Sequence, residues 1–458
     1  MNNLDQNYYS HWLDTNQLLE DSKLKTIEIS DIQNLDTVGI PVGSISDKII
    51  VDRTLDNTIV IGSSGSGKTQ CVILPMIYQS LKSGESVIVT DKNSGIYNLT
   101  SGSFVEAGFN VIKINLSSPL YSDSWNPFTL IKKIYDEGKR DEASSLIECI
   151  VNCLIRSETK NIDPYWENTS SQYLTGIILS LLDKGIDADK INFKTLSKFT
   201  NSYNEELTIA YIDTIDKNTI CYQNIAATHL APPETKASIM SVLNQKMTIL
   251  NNNETLVSKL CNSDFDITKI RDSKTIVYFN MDNTLENQSA LFNIFFEQIN
   301  YVLNNDRAKK PINIILDSFD DNIKPIKNLN SKLDKLRARY ARIVLFIKGF
   351  DKLASTYGKN NIEELKFECS KILYLLSNEY NTLKFISDFC GKKNSTDNLV
   401  SPEALRRMPM WSSLLIKSRL MPYYNKLVPF YTTRLEFKSG EAILKQPKEI
   451  KVLDLESI

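Results

Sequence analysis

The chain has 458 residues, 42% of them hydrophobic and 24% charged, with a formal net charge of -2. This is a soluble globular composition with material for two or three structural units, and its near-neutral balance gives no bulk charge for holding nucleic acid or a membrane. Two histidines and seven scattered cysteines argue against histidine-based zinc or triad chemistry, and the cysteines read as reduced core thiols of a cytoplasmic protein.

In chain order, residues 1–50 are mixed and weakly patterned, and the polar start does not resemble a signal peptide. Short β-branched apolar runs then recur: TIVIG (58–62), SVIVTD (86–91), NVIKINL (110–116), KTIVYFNM (274–281), INIILD (312–317), RIVLFI (342–347), KILYLLS (371–377) and SLLIKS (413–418). Continuous runs with little alternation suit strands buried on both faces. Helical patterns separate many of them, which predicts an α/β fold with a mostly parallel sheet. Between 128 and 258 helical periodicity takes over, predicting an inserted all-α domain, with Asp163 and Pro164 as the cap and first-turn proline of one helix. The longest apolar stretch there, Tyr173–Leu182, is about half the roughly 20 residues that cross a bilayer.

The segment GSSGSGKT, made of Gly62, Ser63, Ser64, Gly65, Ser66, Gly67, Lys68 and Thr69, fulfils G-x-x-x-x-G-K-[ST] between a predicted strand and a predicted helix. Its glycines let backbone N–H groups curl around phosphates at a helix N-terminus. Lys68 then reaches the β- and γ-phosphates, and the Thr69 hydroxyl ligates Mg2+. Pro75 is expected to kink the following helix. No transporter-type LSGGQ occurs, and the guanine-like SKLD (331–334) lies in a charged helical pattern, so ATP is the expected nucleotide. The run INIILD delivers Asp317, placed to orient magnesium, but the glutamate expected next is Ser318.

With these motifs placed, the other segments resemble in order those of the type IV coupling proteins of conjugation, the TraG/TraD-like ATPases. DKNSGIY (91–97) is similar to D-P-K-G-E-x-Y, SDSWNPF (122–128) to S-D-x-W-N-P, and DPYWEN (163–168) to D-P-F-W-E. LDSFDDNIKPI (316–326) looks like L-D-E-F-x-N-I-x-x-I, and the stretch 337–358 like one ending in Q-x-x-x-Q-L-x-x-x-Y-G. The resemblance implies a RecA-like motor domain over 51–127 and 259–435, an all-α domain over 128–258, an N-terminal segment 1–50 and an exposed tail 436–458. It also implies a hexameric ring that uses ATP to recruit and move single-stranded DNA with its relaxase to a secretion channel. Members usually carry N-terminal transmembrane helices. None is predicted here, so the expectation is a cytoplasmic or peripheral protein that contacts the membrane only through partners.

The departures cluster at the chemistry. Serine at 318 cannot replace the family glutamate as base, a loss that typically costs about 10²–10⁴-fold in rate. Asp320 and Asp321 lie nearby, but the strand end would have to bend for either to substitute. Two family glutamines fall at Lys348, the sensor position, and Lys352. Asn93 and Gly95 replace the lysine and glutamate of the second segment. Arg337 or Arg339 takes the place from which the family offers an arginine finger to a neighbouring subunit. From Lys324 to Lys352 nine Lys/Arg stand against two Asp, and Lys332, Lys335, Arg339 and Arg342 are the candidate DNA contacts of this stripe. Tyr165, Trp166 and Tyr173 are read as helix packing in preference to base stacking. Two readings stay open: a coupling ATPase with weakened hydrolysis, or a non-hydrolysing nucleotide-binding scaffold, perhaps in a mixed oligomer with an active paralogue.

Overall fold

The computed structural model of the protein describes residues 9–21, 23–29, 35–156, 163–251, 253–282, 286–321 and 324–457. Residues 1–8, 22 and 30–34 of the N-terminal segment, and Asn322 and Ile323 after the Asp317 motif, lie outside the described residues. The chain forms two compact units. The first holds Met1–Val111, Lys269–Phe279 and Asp306–Glu441, and the second Ile112–Thr268, Asn280–Asn305 and Ala442–Ile458.

The N-terminal segment is more ordered than its pattern suggests. β1 (Leu24–Glu28), β2 (Ile40–Ile45) and β3 (Lys48–Asp52) make a three-stranded antiparallel sheet in the order β1-β3-β2. These strands are short, and β1 buries only its first and fourth residues, so no long periodic signal exists to find.

The large sheet contains β4 (Thr58–Gly62), β5 (Ser86–Thr90), β6 (Asn110–Asn115), β7 (Thr275–Asn280), β8 (Ile312–Leu316), β9 (Ala341–Ile347), β10 (Lys371–Leu376), β11 (Ser412–Lys417) and β12 (Tyr423–Lys426). Their order is β12-β11-β10-β4-β9-β8-β5-β7-β6. All eight apolar runs are strands. β10, β4, β9, β8, β5 and β7 pair in parallel, while β11 and β12 add antiparallel neighbours at one edge. Every residue of β4, β5, β7, β8 and β9 is buried, as helices on both faces of a parallel sheet require. β4 lies between β10 and β9, and β9 between β4 and β8, so the loops after these strands emerge side by side at one edge.

A buried ionic cluster fastens this unit. Arg342, expected on a DNA-facing stripe, is instead wholly buried in β9. Its guanidinium donates to Glu85 Oε2 at 3.2 Å, to Asn313 Oδ1 and to the Thr54 carbonyl at 3.2 Å. A strand covered on both faces leaves the side chain no route to solvent, and an anionic partner on the chain satisfies its charge.

In the second unit, Asp163 caps the helix Pro164–Asp183 by accepting from Tyr165 N, as its sequence predicts. The SDSWNP signature acquires a structural reason. Ser122 and Asp123 accept from the Asn115 and Lys113 N–H groups, and Trp125 Nε1 donates to Gln298 Oε1 at 2.9 Å. Asn126 caps the helix Pro127–Asp136 and donates to the Ile191 carbonyl at 2.9 Å. Tyr173 is buried with its hydroxyl on the Phe199 carbonyl, whereas Tyr165 is half exposed against Trp166. The second unit is also wider than 128–258, taking in 112–127, 259–268 and the helix Glu286–Asn305.

The expected free tail differs too. Residues after 441 lie extended along the second unit. Lys445 N donates to the Leu120 carbonyl, Leu453 N to Thr195 Oγ1, and Leu453 and Leu455 are buried. Extended backbone held by other segments' side chains leaves no periodicity in its own sequence. Among the described residues no helix is long and apolar enough to cross a membrane.

Candidate nucleotide-binding site

β4 ends at Gly62, and the loop that follows is tied to the next strand by Ser63 N donating to the Leu376 carbonyl at 2.8 Å. Gly65 and Gly67 take left-handed φ values of 78° and 94°, which suit glycine. A Cβ on Gly62 would meet Ser66 Oγ at 2.3 Å, and one on Gly67 would meet the Trp411 ring at 2.7 Å. Lys68 Nζ folds back to the Gly62 carbonyl and to the Ser63 carbonyl at 3.0 Å. Burial lowers its pKa, an effect that nearby Asp317 opposes. The Ser66 hydroxyl is buried with no hydrogen-bond partner among the described residues. A glycine loop around a cationic lysine and a buried hydroxyl is suited to phosphate oxygens.

Thr69 opens the following helix and is exposed. That helix begins as a π-turn over Thr69–Ile73 and becomes α-helical at Leu74–Ser83. Pro75 offers no N–H for an i→i−4 bond, and the wider turn before it absorbs the irregularity expected as a kink.

Asp317 follows β8, and burial raises its carboxyl pKa against the pull of Lys68. The next residue, Ser318, has φ 54°, and its N–H donates to Asp317 Oδ1 at 2.8 Å. Thr90, at the end of β5, donates to the Asp317 carbonyl, and Asp91 accepts from Tyr97 N at 2.8 Å. Asp317 thus lies close to Lys68, and Ser318 places no carboxylate beside it.

The chain does bend after Asp317, since Asp321 N donates to the Ser318 carbonyl and Phe319 N to the Phe346 carbonyl. Both later carboxylates are nevertheless engaged. Asp320 is buried, accepts from Lys348 N at 2.7 Å and has its pKa raised by burial. Asp321 accepts from Lys348 Nζ at 2.9 and 2.8 Å and from Lys352 Nζ, with Lys92 Nζ 4.0 Å away. The two lysines that stand where glutamines were expected thus share one carboxylate.

The candidate DNA contacts of the basic stripe do not join this site. Helix Leu329–Ala338 packs Leu329, Leu333 and Leu336 inward and turns Lys335 and Arg337 outward, with Lys332 half-buried. Arg337 pairs with Asp334 at 2.8 Å and approaches Asp56 at 3.8 Å. Asp56 precedes β4, so Arg337 lies at the opposite sheet edge from Gly62, about 15–20 Å away at strand rise. Arg339 is exposed at that same edge, its carbonyl accepting from Arg271.

Sequence reasoning missed an aromatic wall. Trp411 covers Gly67, its ring centroid is 6.1 Å from that of Tyr431, and Tyr431 N donates to Gln70 Oε1 at 3.3 Å. The only signal was two aromatics in a closing segment more than 340 residues from the loop they flank.

A family profile described as "Type IV secretory system Conjugative DNA transfer" matches residues 39–408. Among solved structures, the bacterial conjugative coupling protein TrwBdeltaN70, unbound monoclinic form, is similar with a TM-score of 0.68 and 12% identity, covering 96% of this chain and 97% of that one. Plasmid coupling protein TrwB in complex with the non-hydrolysable ATP analogue ADPNP gives 0.66 at 12% identity, over 96% and 99% of the two chains. TrwB in complex with ADP and Mg2+ gives 0.62 at 14% identity, over 85% and 87%. No curated protein matches significantly. At this identity the likeness shows the fold, a RecA-like P-loop α/β architecture.

Proposed function

Because the chain belongs to the type IV secretory system conjugative DNA transfer family, matched over residues 39–408, we propose that it is an ATP-binding coupling protein that recruits relaxase-bound single-stranded DNA to a conjugative secretion channel. The observation that carries this reading is the phosphate cradle of Gly62–Thr69, with its buried Ser66 hydroxyl, set beside Asp317. Lys68 and the loop N–H groups bind the phosphates, while Thr69 and Asp317 hold the magnesium ion that neutralises phosphate charge. TrwB, solved with an ATP analogue and with ADP and Mg2+, supports the same nucleotide and metal here.

Hydrolysis is slow in this proposal, because Ser318 replaces the carboxylate that would polarise water. Assembly as a hexameric ring, alone or with an active paralogue, follows from the family resemblance, as does contact with the membrane through channel components. A second reading, a scaffold that binds ATP without turning it over, is favoured by the engagement of Asp320 and Asp321 with Lys348 and Lys352.

Thermal melting with and without Mg-ATP tests the shared core. Wild type should be stabilised and Lys68→Ala should not, and an unchanged wild-type melting temperature would overturn both readings. Turnover with and without single-stranded DNA separates them. DNA-stimulated hydrolysis in wild type supports the motor, whereas hydrolysis only in a folded Ser318→Glu variant supports the scaffold.

A further inference from the structure

Lys348 directly follows β9, and strand register fixes its place. Ile347 pairs with Ile61 of β4, which sets residue 348 beside Gly62 at the start of the phosphate loop. On the other side of β9, Leu345 pairs with Leu316, and the Phe346 carbonyl accepts from Phe319 N, which holds the Asp317–Ser318 turn against the same strand. The Lys348 backbone is pinned, its N–H on Asp320 and its carbonyl accepting from Ser377 Oγ at 3.0 Å. Its ammonium, on a flexible four-carbon stem, is the movable part.

That ammonium donates to both oxygens of Asp321, a carboxylate only 11% exposed, while the lysine side chain is 36% exposed. Lys352 contacts the same carboxylate, and Lys92 stands 4.0 Å from it. Three ammonium groups thus surround one carboxylate next to the loop that carries Lys68. Withdrawing Lys348 leaves Asp321 still neutralised by Lys352 and Lys92.

Resting on the nucleotide-binding reading, we propose that Asp321 is an internal competitor for the terminal phosphate of a nucleoside triphosphate. Its carboxylate holds the Lys348 ammonium, and a bound triphosphate draws that ammonium across to its γ-oxygens. The exchange replaces one charge-assisted hydrogen bond by another to a more highly charged anion. A diphosphate lacks the receiving group and leaves the Lys348–Asp321 pair intact. The pair therefore sets the preference for ATP over ADP, with Asp321 opposing that preference and Lys348 transmitting it, because only differential contact between the two states shifts such an equilibrium.

The test measures affinity of the full chain for a non-hydrolysable ATP analogue and for ADP, both with Mg2+, in wild type, Asp321→Asn, Lys348→Gln and the double variant, with melting curves confirming that each is folded. Asp321→Asn should strengthen analogue binding about fivefold or more while ADP binding changes much less. Lys348→Gln should weaken analogue binding selectively and abolish the effect of Asp321→Asn in the double variant. Equal strengthening for ADP and analogue, or an Asp321→Asn effect that persists without Lys348, would overturn the exchange. Failure of wild type to bind either nucleotide would overturn the nucleotide-binding reading and this inference with it, whereas intact binding with an unchanged analogue-to-ADP ratio in every variant overturns the exchange alone.

Discussion

Asp52, the last residue of β3, and Lys371, the first of β10, form a fully buried ion pair with Nζ 3.1 Å from Oδ1. Lys417 adds a second ammonium 3.0 Å from Oδ2, and Thr54 donates to Asp52 through both its N–H and its hydroxyl. Burial alone would raise the Asp52 pKa, but Lys371 and Lys417 hold it well below the ordinary carboxylate range. Removing Asp52 strands the wholly buried Lys371, while Lys417 keeps Asp21 at 3.1 Å.

Asp52→Ala should therefore cost about 3–5 kcal/mol, the range for breaking a buried pair from one side. The pH dependence follows from the depressed folded pKa. The stabilisation is fully present above the unfolded value near about 4 and is lost as pH falls from there down through the folded value. Melting temperatures across the acid range should fall less steeply in Asp52→Ala than in wild type. A parallel acid limb in the two proteins would refute the assignment.

Asp320 has the opposite sign. Burial raises its pKa, and the Lys348 N–H and nearby lysines offset this only in part. The folded state holds the proton longer than the unfolded one, so the group opposes folding as pH rises through its folded pKa. Asp320→Asn preserves an oxygen for Lys348 N and removes the buried charge. It should melt higher than wild type at neutral pH, with the gap closing in acid. A lower neutral melting temperature would show that the carboxylate charge stabilises this turn.

The large sheet is readable from sequence because its strands are buried on both faces, which makes TIVIG or INIILD an unbroken apolar run. The phosphate loop is readable for a different reason: its eight residues are contiguous and follow one fixed pattern. What fails to read is non-local. Arg342 looks like part of a basic stripe until Glu85 and Asn313, distant in the chain, are found around it. Lys348 and Lys352 look like two lost glutamines until Asp321 is seen to accept from both. Gly67 explains its own φ, but only the fold brings Trp411 onto it.

Gly176 lies within the helix Pro164–Asp183, where a Cβ would meet Ile225 Cγ1 at 2.6 Å and the Cys221 carbonyl at 2.7 Å, both on the helix Ile220–His229. The carbonyl is backbone and cannot rotate away. Gly176→Ala gains helix propensity but overpacks this crossing, so a net destabilisation of about 1–3 kcal/mol is expected. Chemical denaturation reads this directly. A neutral or stabilised variant would mean that the two helices separate at little cost.

Trp411 provides a way to separate the base from the phosphates. Its ring sits against Gly67, and Tyr431, its aromatic neighbour, is tied through its N–H to Gln70, the residue after Thr69. A base stacked on this aromatic face would lose about 1–3 kcal/mol of binding on removal of the ring. Trp411→Ala should therefore weaken ATP-analogue and ADP binding by the same factor, because the two nucleotides share the base. Lys348→Gln, by contrast, should move only the triphosphate. Equal affinities in wild type and Trp411→Ala would leave the ring as packing for the glycine loop alone, and a loss confined to the triphosphate would place it against the γ-phosphate instead of the base.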